Sequence, residues 1–370
     1  MASQHPSFFQ RFLLPGFAFK AVVIGGGYAT GRELAEFFLP NGPWGGVLGM
    51  LLSMVCWSIV CAATFVFTRA TASYDYGAFF RRLLGPGWFL FDIAYACMVL
   101  IMLSVFGAAA GAICAAIFGW PDVFGTLALV AGIALVSAFG NESVERLFKY
   151  VTYFLYGVYA TFVVLAVLKF SGRIGASFAS TSLGSGWAVG GLTYAGYNVV
   201  GAVMILPVLR HLTSRRDAVV AGLLAGPLGM LPAVLFFICM AAYYPEIGSA
   251  TLPSDYMLTR LDAPAFHFVF QLMILAALLE SGTGAVHAVN QRIAGVLGVR
   301  GRSLPVSGRL GLSTAILVVS IFIAARFGLV DLIAKGYRAL AYILICVYVV
   351  PLLTYGLWSL KGRGADVNAT

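Results

Sequence analysis

The chain has 370 residues, 61% of them hydrophobic and only 10% charged, with a formal net charge of +9. A water-soluble domain of that length could not cover its surface with so few charges, whereas a bilayer allows lipid-facing side chains to be apolar. The basic residues fall in short clusters between apolar runs, as at Arg81-Arg82, Arg215-Arg216 and Arg300-Gly301-Arg302, with no aromatic-interleaved basic stretch. That pattern fits loop anchors at a membrane surface and argues against a nucleic-acid partner.

Spanning a hydrocarbon core takes roughly 20 apolar residues. Hydropathy and the Gly, Pro and charge punctuation predict an all-α integral membrane protein of about ten helices, at 12–38, 45–70, 88–116, 121–140, 148–170, 186–210, 216–244, 264–298, 308–327 and 335–358. Residues 74–85 are too short and too charged to span and read as a surface helix. The stretch 245–263, with Pro245, Pro253, Asp255 and Asp262, is the longest connection and reads as a cover over a vestibule. The first apolar run lacks a small-residue cleavage site and is interrupted by Lys20, a glycine triplet and Arg32-Glu33, so it reads as a retained span rather than a signal peptide. Cys56, Cys61, Cys97, Cys114, Cys239 and Cys346 all sit in apolar runs without metal-ligand spacing and read as small buried hydrophobes.

With the N-terminus inside, fifteen Lys and Arg lie in inner segments and six in outer ones. The bias predicts cytoplasmic termini, an even number of spans and residence in the cell (inner) membrane. Two halves follow, 12–170 and 186–358, with short cytoplasmic tails at 1–11 and 359–370. Five spans in each half make the second an inverted copy of the first, a recurrent transporter design.

Two spans carry candidate interruptions. In the first, Gly25-Gly26-Gly27-Tyr28 precedes Ala29-Thr30-Gly31-Arg32-Glu33. Each glycine costs about 1 kcal/mol of helix propensity relative to Ala. Unwound backbone at bilayer depth survives only when buried in protein or lining a cavity, and its free amides attract an anionic group. In the sixth, Thr193-Tyr194-Ala195-Gly196-Tyr197-Asn198 interrupts the apolar run, which predicts a break near Ala195-Gly196 with Tyr194, Tyr197 and Asn198 facing a solute. The competing reading at both places is close helix packing through small residues.

The glycine-rich break resembles the Gly-Ser-Gly-Ile-Phe signature of the amino acid–polyamine–organocation superfamily, with Gly26 in the serine place. Gly-Gly-Gly-Tyr-Ala-Thr-Gly-Arg-Glu also resembles the YkvI-like bacterial membrane proteins, over nearly the whole chain. The resemblance implies the five-plus-five inverted-repeat fold typified by LeuT, in which spans one and six cradle substrate. Sodium-coupled relatives carry Ala-x-x-Thr/Ser-Ser on span eight; here Ala277 and Ser281 match, while Glu280 stands where a neutral hydroxyl is usual.

A charge such as Glu280 inside a span costs at least about 2.5–3.5 kcal/mol, so it is expected at a cavity or a partner. One reading makes it a Na+ ligand with Ser281 and the carbonyls of Ala21 and Ile24; the other makes it a proton carrier. Arg32 and Glu36, one turn apart, are expected to form a gating pair, with Glu33 turned towards the vestibule. Asp92 and Tyr95 open span three on one face, Tyr95 being counted with the solute contacts. His287, Asn290 and Gln291 are expected at the cytoplasmic exit.

No Walker loop, His-Glu-x-x-His, Cys-x-x-Cys or nucleophile elbow is present in the sequence. The expected function is therefore not catalysis. It is cation-coupled symport of a small organic solute, an amino acid or related amine, with Na+ ahead of H+ and no other cofactor. The alternative is a ligand-sensing receptor on the same fold. The expected partners are the bilayer and a small molecule, with the chain a monomer or weak homo-oligomer.

Overall fold

The computed structural model describes residues 6–23, 26–138, 141–299 and 305–360. The described residues are almost entirely helical, because a backbone in hydrocarbon must satisfy its polar groups within its own segment. Among the described residues six helical stretches are long and apolar enough to cross a membrane, the last of them, Val306–Leu360, covering two of the expected spans.

Span one is split into α1 (Leu14–Val23), α2 (Gly26–Ala29) and α3 (Arg32–Phe37). It is followed by α4 (Gly42–Thr71), a short amphipathic α5 (Tyr76–Leu84) at the expected surface position, α6 (Phe89–Phe118), α7 (Asp122–Ala138) and α8 (Asn141–Ser180). Next come α9 (Trp187–Asn198) and α10 (Val200–Met204), then α11 (Arg215–Met240). The connection after α11 contains a second short helix, α12 (Pro253–Leu261), before α13 (Pro264–Val299), α14 (Val306–Asp331) and α15 (Arg338–Leu344). Gly328, at φ +71°, ends the regular part of α14 where the ninth span was expected to stop. Around α15 the last span is wound as π-helix over Leu332–Tyr337, Ile345–Val349 and Leu352–Gly356.

Small residues set how closely the spans approach. A Cβ on Gly222 of α11 would collide with the backbone of Ala62 on α4, and one on Gly226 with Ser58 and the Met54 carbonyl. Ser58 Oγ donates across the same seam to the Leu223 carbonyl at 2.9 Å. On its other side α4 meets α9, where Ser53 Oγ donates to the Gly191 carbonyl at 2.7 Å and the Trp57 indole to the Ala195 carbonyl at 3.3 Å. α4 is thus a fixed post between α9 and α11. Its remaining face carries Leu51, Val55 and Ile59, all exposed and spaced four apart, as a lipid-facing stripe requires.

One polar clamp ties the start of the chain to α11. Both Asp217 oxygens accept from the Arg11 guanidinium, at 2.9 and 2.8 Å. The same carboxylate completes a capping box with Ser214.

Substituting Gly222→Leu should force α4 and α11 apart. A melting curve of the purified protein in detergent is expected to register a loss of about 1–3 kcal/mol.

Candidate functional site

The interruption of span one is visible at Thr30-Gly31. Gly31 adopts φ +76°, a left-handed conformation open to glycine, and its N–H turns back to the Tyr28 carbonyl at 3.0 Å. A Cβ there would also meet Phe236 at 2.7 Å and Pro253 at 3.2 Å. The Thr30 carbonyl, which a continuous helix would use internally, instead accepts from Ser254 N of α12 at 3.0 Å. The loose backbone is therefore satisfied by the connection 244–263, which runs over this end of the site as a strap.

Arg32 fastens the strap. Its Nη1 donates to the Gly248 and Ala250 carbonyls at 2.8 and 3.0 Å, and its Nη2 pairs with Glu36 at 3.0 Å, as expected for residues one turn apart. Arg338, the first residue of α15, approaches the other Glu36 oxygen at 3.9 Å.

The second interruption is displaced from its expected place. Ala195 and Gly196 lie inside the continuous helix α9, where the absence of a side chain on Gly196 makes room for Ile345 (2.8 Å to a Cβ) and Ala341 (3.1 Å). They serve close packing, so the small-residue reading holds there. The helix falters at Val199, three residues later, and its φ and ψ stay in the right-handed region, so it is a tightened step rather than an unwound one. The Ala202 N–H turns to the Val199 carbonyl at 3.0 Å, a three-residue step, while the Val199 N–H keeps its helical bond to the Ala195 carbonyl at 3.1 Å. Asn198 Nδ2 donates to the Tyr194 carbonyl at 3.1 Å on the same turn.

A hydrogen bond joins the two interruptions: the Tyr197 phenol donates to Glu33 Oε2 at 2.5 Å, and both residues are buried. Beside that pair lies a cavity of about 340 Å³. Its walls are Ala21, Val22 and Val23 of α1, Glu33 of α3, Met98, Met102 and Phe106 of α6, and Tyr197, Asn198, Val200 and Met204 of α9 and α10. Glu280, Ser281, Gly284, Ala285 and Ala288 of α13 close one side, with Tyr337 and Leu340 from the last span. The Tyr197 and Tyr337 rings lie 4.6 Å apart between centroids.

Of the sequence-predicted site, Ala21, Glu33, Tyr197, Asn198, Glu280 and Ser281 meet in this one cavity. Glu33 is turned into it rather than towards an outer vestibule. Ile24 and Gly25 lie outside the described residues, and the backbone of Gly26 and Gly27 is wound into α2. Tyr28 faces the opposite way, its hydroxyl 3.2 Å from that of Tyr159, in a second cavity of about 420 Å³ that also contains Lys20 and Tyr156. Tyr95 stacks on Tyr76 and Phe91 and is not in the lining of this cavity. Tyr194 is fully buried against Phe38 and Trp57, outside the lining, with its hydroxyl unpartnered among the described residues. Ala277 is buried one turn before Glu280 and does not reach the cavity.

The remaining polar candidates are engaged elsewhere. Asp92 pairs with Arg292 at 3.1 Å, Asn290 donates to Ser313 at 3.0 Å, and the side chains of Gln291 and His287 meet at 2.9 Å. Sequence reasoning missed the three methionines, Phe106 and Tyr337. Each is an apolar or aromatic residue in an apolar span and carries no local mark that separates lining from packing. Among the described residues no group of three or more His, Cys, Asp and Glu could hold a metal ion.

No family model matches the chain. It is similar to the uncharacterized membrane protein YkvI of Bacillus subtilis (strain 168), at 21% identity over 339 residues, covering 89% of this chain and 94% of that one. Among solved structures it superposes on MhsT in complex with L-phenylalanine, with a TM-score of 0.61 and 16% identity, covering 93% and 89% of the two chains. A Na+-coupled sialic acid symporter in a substrate-bound outward-open state gives a TM-score of 0.61 at 12% identity, covering 95% and 82%. The fold is LeuT-like. Within it, the walls of the 340 Å³ cavity come from the pieces of span one and span six that the expected fold sets around substrate.

Replacing Arg32 by Gln removes the strap's fastener. Hydrogen exchange across residues 246–261 is expected to accelerate about tenfold, the equivalent of about 1.4 kcal/mol, while exchange in α4 stays unchanged. Arg32→Lys should restore only part of the protection, because a single ammonium cannot reach two carbonyls and a carboxylate in the geometry of a guanidinium fork.

Proposed function

We propose that the protein is a secondary active transporter that moves a small organic solute, an amino acid or related amine, by cation-coupled symport and alternating access. The observation that carries this reading is the cavity itself. It lies at two interrupted spans, it contains two carboxylates, and its size falls in the range of small-molecule sites. A carboxylate in a membrane interior is costly, and two of them on one cavity are best explained by cargo and ion that arrive charged.

In this reading Glu33, Tyr197 and Asn198 contact the solute, and Arg32 and Glu36 act with the strap as the outer gate. Glu280 and Ser281, together with the carbonyls of Ala21 and Ile24 and the Ala277 turn, supply the ion site. Na+ is favoured over H+ because Ala21, Glu280 and Ser281 line one cavity, and a carboxylate and a hydroxyl on adjacent residues are hard-oxygen donors suited to a metal cation. The halves 12–170 and 186–358 then act as inverted repeats, with both termini cytoplasmic in the cell (inner) membrane. The likeness to a Na+-coupled symporter and to an L-phenylalanine complex is consistent with this scheme, and the choice of ion and solute is the proposal.

Uptake into proteoliposomes with Na+ and proton gradients imposed separately tests it. Accumulation is expected under the Na+ gradient, and Glu280→Gln should cut gradient-driven accumulation at least tenfold. Accumulation under neither gradient for any candidate solute would contradict the proposal.

A further inference from the structure

The second cavity, of about 420 Å³, lies between α8, over residues 155–164, and α11, over residues 231–235, with Lys20 of α1 at one end. Val164, Leu231 and Leu235 on its rim are exposed, so in a bilayer its mouth meets acyl chains. Its back is closed by two buried phenols, Tyr28 and Tyr159, with hydroxyls 3.2 Å apart and that of Tyr159 3.1 Å from the Pro232 carbonyl. It is a groove open to lipid on one side and shut from the protein interior on the other.

Lys20 is the charged residue of this lining. No carboxylate lies within ion-pair reach of its ammonium among the described residues. The group rests instead on ring faces, 4.0 Å from the Tyr156 centroid and 5.9 Å from that of Phe17. Ring faces hold a cation but leave its charge uncompensated. Depth makes that matter. Arg11 and the capping box at Asp217 mark the polar end of α1 and α11, and Lys20 follows Arg11 by nine residues, roughly 13 Å at the helical rise. That is well inside a hydrocarbon layer of about 30 Å, where a cation is expected to meet an anion.

The groove also selects the class of anion. A phospholipid phosphate belongs to the headgroup layer, outside the hydrocarbon. A long-chain carboxylic acid has no large headgroup to hold it there, and its carboxylate forms a charge-assisted hydrogen bond with an ammonium ion. Since α1 and α11 run side by side in one direction, with Arg11 on Asp217 and Phe19 against Gly229, the walls lead from Lys20 away from the polar end. A single alkyl chain would lie along them with hydrocarbon on both sides.

We infer that this groove is a binding site for a long-chain carboxylic acid drawn from the bilayer, its carboxylate on Lys20 and its chain between α8 and α11. The site stands apart from the solute cavity and does not depend on what that cavity binds. The two share α1 as a wall, Lys20 on one side and Ala21, Val22 and Val23 on the other.

Photoaffinity labelling tests it, with a diazirine-bearing palmitate and the purified protein in phosphatidylcholine nanodiscs, the cross-links being mapped by peptide mass spectrometry. Labelling is expected within residues 155–164 and 231–235, and unlabelled palmitate should compete at least tenfold better than uncharged 1-hexadecanol. Lys20→Gln should lower labelling there at least tenfold. Ala160→Trp, a change at an exposed lining residue, should block the groove and abolish labelling even if the Lys20 variant does not fold. Labelling spread evenly over the lipid-facing helices, competition by hexadecanol or phosphatidylglycerol equal to that by palmitate, or labelling indifferent to both substitutions would each overturn the inference.

Discussion

A helix that stops inside a bilayer must find partners for the backbone groups it releases, and the rest of this structure is arranged around that requirement at Thr30-Gly31. The partner is not solvent but the strap, through Ser254 N on the Thr30 carbonyl. Once the strap is committed there, Arg32 can reach back to it with two further bonds, and α3 leaves the break at an angle that turns Glu33 inward. Breaking the helix, covering one end and charging the cavity are thus a single arrangement. Its cost is moderated because the released carbonyl, the guanidinium and the carboxylate all have protein partners.

The scaffold makes that arrangement directional. α4 is packed closely on α9 and α11 through glycines and through side-chain bonds to main-chain carbonyls. Span one is held near its middle by the strap at Thr30 and Arg32, by the Glu33–Tyr197 bond, and by the rings of Phe37 and Phe38 packed on Tyr194 and Tyr197.

How much of this was legible in the sequence depends on the physics involved. The expected spans have helical counterparts because membrane insertion is written in long apolar runs; the surface helix at Tyr76–Leu84 and the helical cover at Pro253–Leu261 were equally plain from their charge and proline content. Carboxylates inside the spans were legible for the same reason: Glu33 and Glu280 stand out against an apolar background, and they meet in the cavity. Glycine was the ambiguous letter. Gly196 looked like a break and is a packing contact, while Gly31, five residues beyond the triplet's centre, is where φ turns positive. A glycine permits both outcomes, and only the neighbour it faces decides between them. The same limit hid Tyr337 and the methionines, and it misdirected Tyr28, Tyr95 and Tyr194. An aromatic residue in an apolar span is equally suited to a wall or a core, and which it becomes is set by the rotation of its helix in three dimensions.

The central claim is that the cavity beside Glu33 and Tyr197 opens to one side of the membrane at a time. Thiol accessibility at Ala288→Cys, probed with a membrane-impermeant reagent in vesicles of both orientations, tests it most directly. Reaction is expected from the side opposite the strap, with Na+ and bound solute together suppressing it and the strap-side route opening in its place. Simultaneous reaction from both sides, or a side preference that no combination of ion and solute alters, would contradict the account.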